Sequence, residues 1–180
     1  LSHGVGTGKL RKKNSIKEGS DQRVMFANKI IKNNSINCNF FGLNNIQPVW
    51  ASDFDNEIKK CYMGLCLQRK PQLKYCLSDR ISQYGGNGLM LFIERETKYY
   101  EFLNDKKEAV YFDNVDDLLK KIEYYKDNKN DALNIAESGY NKLHKYCNEK
   151  IVTEYFFDCL NGDNEKELKE KYHWPVHFYN

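Results

Sequence analysis

Three consecutive residues, Ser78, Asp79 and Arg80, have side chains suited to holding an anion where a short helix begins. The stretch 74–94, KYCLSDRISQYGGNGLMLFIE, predicts a loop, that helix, a glycine-rich turn and a buried strand. The first turn of a helix leaves backbone N–H groups without intrahelical acceptors and carries the positive end of the helix dipole. A hydroxyl, an arginine and those N–H groups together form a site for a phosphate or diphosphate.

The same three residues also have a purely structural interpretation. Ser78 can act as an ordinary N-cap, Asp79 can complement the helix dipole, and Arg80 can pair with an acidic neighbour. Cap chemistry of this kind occurs in many helices, so the motif alone does not decide between the two interpretations.

Neighbouring residues favour the anion-binding interpretation. Lys74 brings positive charge to the approach, and basic side chains beside a helix N-terminus stabilise a diphosphate leaving group. Gly85 and Gly86 allow the backbone to pack closely behind such a site.

The opening segment SHGVGTGKL, residues 2–10, is rich in glycine and ends near Lys9. It does not match a P-loop, because His3 stands where the first glycine belongs and Leu10 where a Ser or Thr should bind magnesium. It also departs from the dinucleotide fingerprint, since its third glycine comes too early. Two interpretations stay open: a flexible glycine loop, or a loop whose backbone approaches a phosphate or sugar while Lys9 supplies charge.

A second candidate loop, GLNNIQPVW, follows a short apolar segment. Asn45, Gln47 and Trp50 could hydrogen-bond and stack on a flat base at the end of a strand. An ordinary surface loop whose Trp50 packs on the core explains the pattern equally well.

Histidine and cysteine spacing predicts no metal site. His173 and His177 are four residues apart, but Pro175 between them argues against a helical pair of zinc ligands. The six cysteines include no C-x-x-C pair. We therefore expect reduced thiols, packed as small apolar side chains, in a cytoplasmic protein; peripheral attachment at the inner membrane is an alternative location.

Composition predicts one domain with a real core. The chain has 180 residues, 41% of them hydrophobic, and its net charge of +3 comes from interspersed residues of both signs. A nucleic-acid-binding domain is not favoured by that pattern, and no apolar run is long enough for a transmembrane segment. The chain begins with Leu and shows no signal peptide, so we expect a fragment of a longer protein.

Short apolar segments alternate with amphipathic ones, which predicts a parallel α/β sheet with helices on both faces and closing C-terminal helices. The predicted strands are 36–43, 62–68, 88–94 and 108–112. The predicted helices are 21–34, 52–62 (capped by Ser52), 78–86, 96–104, 114–128 (capped by Asn114), 131–148 (starting at Asp131) and 151–160. Residues 1–20 are expected to be an N-terminal loop, 21–160 a nucleotide-binding domain and 161–180 a C-terminal tail. Ligands of such sheets bind outside the carboxyl ends of the strands.

The order of these motifs resembles a known family. From SDRISQYGGNGLMLFIE through DNVDDLLKKIEYY to the HKYC segment, the chain is similar to the C-terminal domain of GT-B glycosyltransferases, of the CgeB-like or "group 1" type found in bacteria. The resemblance covers about residues 2–160, and the spacing of the motifs is more specific than any one of them.

The resemblance implies a Rossmann-like domain that binds a nucleotide-sugar donor, with a saccharide or other acceptor held by an N-terminal GT-B domain that is missing here. It implies catalytic roles for Arg80 and Lys9, which would stabilise the departing diphosphate without an obligatory metal. The donor could be of the UDP, GDP or ADP type. Residues implied to contact the donor are His3, Gly4, Asn45, Gln47, Trp50, Lys74, Ser78, Asp79, Gly85 and Gly86.

The chain also departs from the family pattern. Gly6 and Thr7 stand where related proteins often have Asn and Arg, and Ser82 and Gln83 occupy the region where many have a glutamate that contacts ribose. A non-catalytic Rossmann-like module that binds nucleotides or another protein is therefore the alternative function. A response-regulator-like domain is disfavoured, because the paired acidic residues that it needs at a strand end are missing.

Overall fold

A computed structural model describes residues 2–4 (backbone only), 22–42, 46–68, 73–75, 79–162 and 164–174. Its strands are β1 (Ser2–Gly4), β2 (Asn39–Phe41), β3 (Met63–Cys66), β4 (Met90–Glu94) and β5 (Val110–Phe112). Its α-helices are α1 (Gln22–Ile31), α2 (Ala51–Ile58), α3 (Val115–Asp127), α4 (Lys129–Tyr146), α5 (Glu149–Asn161) and α6 (Glu165–Tyr172). A π-helical turn spans Ile81–Gly85, and 3₁₀ turns span Arg95–Thr97 and Tyr99–Glu101.

The strands form one five-stranded sheet in the order β2-β1-β3-β4-β5, and every neighbouring pair is parallel. All residues of β3, β4 and β5 are buried, as expected for strands that read as continuous apolar runs. The predicted fold class, a parallel Rossmann-like sheet between helices, is confirmed.

Each face of the sheet packs on its own set of helices. On one face, α1 and α3 contribute side chains such as Ile30 and Leu118 to the larger core. On the other face, α2 and the π-helical turn contribute Ile58 and Tyr84 to a second core. The two connections that flank β3 therefore both lie on one face of the sheet, and α1 and α3 lie on the other.

Helix α4 contributes to both cores. Ala136 belongs to the core that contains α1 and α3, whereas Leu143 belongs to the core that contains the π-helical turn. Between them, Gly139 lies so close to the chain before β5 that a Cβ there would be 2.3 Å from the Glu108 carbonyl oxygen. Because Gly139 has no side chain, the backbone of α4 can pack directly against the backbone that precedes β5.

At residues 2–4 the structure differs from the prediction of a loop over residues 1–20; the rest of that range lies outside the described residues. Ser2–Gly4 form β1, which pairs with β2 on one side and β3 on the other. A three-residue Ser-His-Gly strand carries no apolar run or alternation, so its sequence gives no strand signal. Pairing with two neighbouring strands decides its conformation, because backbone hydrogen bonds do not depend on side-chain type.

The predicted helix over residues 96–104 is also wrong. Two 3₁₀ turns take its place, separated by Lys98 in the left-handed conformation with φ of 59°. The buried Thr97 hydroxyl donates a 2.7 Å hydrogen bond to the Glu94 carbonyl oxygen, which draws the chain into a tight turn. Such local side-chain bonds compete with regular helix.

Helix boundaries follow the predicted caps in one case and depart from them in two. Asn114 caps α3 as predicted, its side-chain oxygen accepting from the N–H groups of Asp116 at 3.1 Å and Asp117 at 3.0 Å. Ser52, however, lies inside α2, whose N-cap position is Trp50, and α4 begins at Lys129 and not at Asp131.

The segment assigned to a C-terminal tail contains helix α6. Asn164 and Glu167 form a capping box at its start. The carboxylate of Asp158 on α5 accepts hydrogen bonds from the Lys171 ammonium at 2.6 Å and from the Tyr172 hydroxyl. These bonds join α6 to α5, while Leu168 and Tyr172 form a small apolar cluster between them.

The described cysteines are free thiols in several environments. Cys66 is buried, Cys38 and Cys61 are half-buried, and Cys147 and Cys159 are exposed. The expectation of core thiols thus holds for Cys66, and Cys38 and Cys61 pack against the two cores, whereas Cys147 and Cys159 are exposed. Within the described ranges, no helix combines the length and apolar character needed to cross a membrane.

Candidate functional site

The strand order places a crevice at the carboxyl ends of β1 and β3. In the order β2-β1-β3-β4-β5 the direction of chain progression reverses between β1 and β3. The next described helix after β1 packs on one face of the sheet, and the π-helical turn after β3 packs on the other. Open parallel sheets bind ligands where successive connections diverge in this way.

Backbone from β1 reaches this crevice. His3 pairs with Phe40 and Gly4 with Phe41, so Gly4 is the last residue of β1 at the carboxyl edge. The structure therefore brings the predicted His3 and Gly4 to the crevice through their backbone.

Arg80 lies at the end of β3. Its Nη1 donates a 3.2 Å hydrogen bond to the carbonyl oxygen of Leu67, the residue that directly follows β3. The bond spans the whole connection from the strand to the π-helical turn. It fixes the guanidinium at the carboxyl edge of the sheet, where the sequence predicted a cation.

Glu94, the last residue of β4, lies on the other side of the same connection. Its side chain is only 6% exposed, and Oε2 accepts a 2.8 Å hydrogen bond from the backbone N–H of Gln68. A buried carboxylate is costly unless it is hydrogen-bonded, so this bond is a structural requirement of the site.

A single peptide group joins Glu94 and Arg80. The carbonyl that accepts from Arg80 and the N–H that donates to Glu94 both belong to the Leu67–Gln68 peptide. In a trans peptide these two groups point in opposite directions. Since the N–H points to β4, the carbonyl and its guanidinium lie on the β1 side of β3, next to the crevice.

Both charges also act on the thiol of Cys66, the last residue of β3. Burial raises the pKa of Cys66 to about 12, the Arg80 guanidinium lowers it, and the Glu94 carboxylate raises it. The residue is 3% exposed, so it is not placed to act as a nucleophile at this edge.

The connection between β3 and the π-helical turn is anchored again at its middle. The N–H of Tyr75 donates to the Thr97 carbonyl at 3.0 Å, and the Tyr99 hydroxyl donates to the Tyr75 carbonyl at 2.8 Å. The Tyr75 hydroxyl itself donates to Glu101 at 2.7 Å. The segment after β4 therefore holds this connection, and with it the exposed Lys74, over the carboxyl edge.

Helix dipole contributes less here than the sequence predicted. Asp79 and Arg80 are helical, but the segment then continues as the π-helical turn and ends at Gly85. A macrodipole requires several aligned turns, and a single turn carries little of it. Arg80 therefore supplies at this edge a full positive charge that the short turn does not. Asp79 is exposed.

Gly85 and Gly86 have packing roles at the far end of the turn. A Cβ on Gly85 would lie 2.4 Å from Leu143 Cδ1 of α4, and one on Gly86 would lie 2.3 Å from the Ser82 carbonyl oxygen. A ring nitrogen of His144 is 3.0 Å from the Gly86 carbonyl oxygen. The chain leads from here to the amino end of β4, so these glycines support the turn from behind.

The remaining predicted residues are placed as follows. Gln47 and Trp50 lie between β2 and α2, beyond the carboxyl end of β2, and Trp50 is 71% exposed. An exposed indole there does not pack on the core, so that packing is excluded. Lys9, Asn45 and Ser78 lie outside the described residues.

A second cluster of charges lies beyond β4 and β5. The Arg95 guanidinium contacts Asp105 at 2.8 Å and Asp113 at 3.2 Å, and Lys121 contacts Asp117 at 2.6 Å. The hydrogen bond that Arg95 donates to the Asp105 carboxylate is the main reason that the pKa of Arg95 is raised. Each of these cations forms an ion pair with a carboxylate, so we interpret the cluster as a structural network of salt bridges beside β5.

Within the described residues, no group of three or more His, Cys, Asp or Glu side chains is arranged to hold a metal ion. The two buried glutamates, Glu94 and Glu108, both bond to backbone N–H groups.

Comparison with protein families matches residues 23–155, well over half of the chain, to a family described as glycosyl transferase-like. The chain belongs to the glycosyl transferase-like family. The matched region runs from α1 to α5 and includes Arg80 and Glu94. Comparison with curated proteins and with solved structures gave no match. Family membership supports glycosyl transfer as the general function, which agrees with the predicted class of enzyme.

The sequence pattern singles out Arg80 as a candidate but does not point to the bonds of Glu94 and Tyr75. A usable signal was present for Glu94, because it is the one charged residue in the otherwise apolar strand MLFIE and stands at its carboxyl end. Acidic side chains at that position in a parallel sheet often serve a ligand or its supporting loop.

Proposed function

We propose that this chain is the sugar-donor-binding domain of a GT-B glycosyltransferase of the CgeB-like type. It would hold a nucleotide sugar at the crevice between β1 and β3, with the acceptor bound by a separate N-terminal domain. The observation that carries the proposal is the Arg80 guanidinium, held at 3.2 Å from the Leu67 carbonyl beside this crevice in a member of a glycosyl transferase-like family.

The chemistry of sugar transfer fits a cation at this place. When the glycosidic bond to the donor breaks, negative charge develops on the departing nucleoside diphosphate. An arginine held in advance stabilises that charge without a reorganisation cost, and its planar donor fork matches phosphate oxygens. Arg80 takes this role in the proposal, and Lys9 and Lys74 add charge from the flanking loops.

Other donor contacts follow from the same placement. The backbone of His3 and Gly4 ends at the crevice and can approach the diphosphate or the sugar. The exposed Trp50, with Gln47, lies beyond β2 at the same edge and can stack on the base. Asn45, Ser78 and Asp79 complete the proposed set of donor contacts.

Titration calorimetry of the full chain with UDP, GDP and ADP tests the proposal. At least one nucleotide should bind, and Arg80→Ala should weaken that binding about tenfold or more, as expected when a charge-assisted phosphate contact is lost. Lys150→Ala, on the exposed face of α5, removes the same charge away from the crevice and should leave binding unchanged. Binding that is equal in both variants, or a folded chain that binds none of the three nucleotides, contradicts the proposal.

The alternative is a non-catalytic module of the same fold, favoured by Ser82 and Gln83 where many glycosyltransferases carry glutamate. Both residues are exposed on the π-helical turn. In a version of the protein with its acceptor domain, sugar transfer that is insensitive to Arg80→Ala would support this alternative. A large loss of transfer would support the donor-site proposal.

A further inference from the structure

Glu94 and Arg80 carry opposite charges, and both bond to the same peptide group. The Glu94 carboxylate accepts from the Gln68 N–H at 2.8 Å, and the Leu67 carbonyl accepts from Arg80 at 3.2 Å. The carboxylate and the guanidinium polarise this peptide in the same sense, so each hydrogen bond strengthens the other.

We propose that Glu94 is the positioning residue for Arg80, acting through the Leu67–Gln68 peptide. The inference rests on the proposed function for its consequence, nucleotide binding, but the positioning itself can be measured without a ligand. Glu94 does not touch the donor in this account. It fixes the plane of one peptide, and that peptide fixes the guanidinium on the β1 side of β3.

Burial fixes the position of Glu94, and the hydrogen bond to the Leu67 carbonyl restricts Arg80. Glu94 is 6% exposed, and the Thr97 hydroxyl donates to its carbonyl at 2.7 Å, so its backbone and side chain are both held. Arg80 is half-buried on the connection after β3, and an arginine side chain has rotamer freedom that a hydrogen bond restricts. A fixed acceptor at the end of β3 removes that freedom before the anion arrives, which is how preorganisation raises affinity.

The charge of Glu94 allows two roles to be separated. If Glu94 acted on a bound diphosphate only through space, removing its negative charge would strengthen anion binding. If it positions Arg80, removing the charge weakens binding, because the peptide holds the guanidinium less firmly. The two roles predict opposite signs for Glu94→Gln.

The chain offers a matched control at the other end of the sheet. Glu108 is also buried, at 8% exposed, and its Oε2 accepts from the backbone N–H of Asn104 at 2.7 Å. It precedes β5 and therefore lies at the amino edge, and it pairs with Lys142 at 2.9 Å. Glu108→Gln removes a comparable buried charge without touching the Leu67–Gln68 peptide.

The test is NMR of the full chain with ¹⁵N labelling, followed by nucleotide titration. In Glu94→Gln, we expect the Gln68 amide proton to move upfield and the Arg80 guanidinium protons to exchange faster with water. The nucleotide that the unchanged protein binds should bind three- to tenfold more weakly, roughly the loss expected when a charged hydrogen bond becomes neutral. Glu108→Gln should change none of these three quantities.

Other outcomes overturn the inference. Arg80 exchange that is the same in Glu94→Gln and the unchanged protein removes the positioning role, and tighter nucleotide binding assigns Glu94 a through-space role. If no nucleotide binds the unchanged protein, the donor-site proposal fails, but the Arg80 exchange rate still decides the role of Glu94.

A reciprocal variant covers the case in which Glu94→Gln does not fold. Arg80 is half-buried, so Arg80→Ala should keep the fold, which circular dichroism verifies. Loss of the guanidinium should move the Gln68 amide proton upfield, because the peptide loses its polarisation. An unchanged Gln68 resonance in Arg80→Ala contradicts the coupling through this peptide.

Discussion

At the scale of single residues, the end of β3 combines a thiol, a carboxylate and a guanidinium whose roles are set by their surroundings. Cys66 is enclosed and kept neutral, since burial raises its pKa to about 12. Glu94 is also buried, but its Oε2 accepts a 2.8 Å hydrogen bond from the backbone N–H of Gln68. Arg80 alone of the three is half-buried, so it is the group that can meet a ligand.

The first prediction concerns the reactivity of cysteines. In the folded protein at pH 8, iodoacetamide should modify the exposed Cys159 and leave Cys66 unmodified, because only the thiolate reacts and Cys66 is both buried and protonated. In urea both thiols should react at similar rates. Peptide mass spectrometry measures the two sites separately, and rapid modification of Cys66 in the native state would show that the end of β3 is open.

The sequence predicts a local interaction for one of these residues but not the long-range interaction of another. Arg80 was accessible from its local motif, since a basic residue beside Ser-Asp at a helix start predicts anion binding. The hydrogen bond of Glu94 was not accessible from a local motif, because its partner is the N–H of Gln68, which is 26 residues away in the chain. The sequence identifies charged side chains but does not say which backbone groups they will meet.

At the scale of elements, packing decides what local pattern leaves open. Strands β3, β4 and β5 were predictable because their residues are apolar throughout, and α3 was predictable from its Asn114 cap and apolar stripe. Strand β1 and the two 3₁₀ turns were not. Strand β1 depends on neighbours on both sides, and the turns depend on the buried Thr97 hydroxyl.

The second prediction tests the contact between α4 and the chain before β5. Gly139→Ala should destabilise the protein by about 1–3 kcal/mol, since the new Cβ would lie 2.3 Å from the backbone oxygen of Glu108, which cannot rotate away. Urea denaturation measures the change in the free energy of unfolding.

The sign of that change is diagnostic. In an exposed helix interior, replacing Gly by Ala stabilises by about 1 kcal/mol, so stabilisation would mean that the helix does not press on this backbone. Glu137→Ala, at an exposed position of the same helix, is the control and should change stability by less than about 0.5 kcal/mol.

At the scale of the whole molecule, two cores on opposite faces of one sheet leave the carboxyl edge as the place where loops converge. The segment after β4 carries Glu94 and the partners of Tyr75, and so supports the connection that carries Arg80. The fold class followed from the alternation of apolar strands and amphipathic helices. The crevice between β1 and β3 follows from strand order, which no local pattern in the sequence reveals.

The central claim is that a nucleoside diphosphate binds at this carboxyl edge. The most direct test is to titrate the ¹⁵N-labelled full chain with UDP, GDP and ADP and to map the amide resonances that move. The account predicts saturable shifts at residues 67–68, 79–80 and 94–97 for at least one nucleotide, with no change at Glu108 or Gly139 on the amino edge. Shifts confined to the amino edge, or no saturable shifts with any of the three, would contradict it.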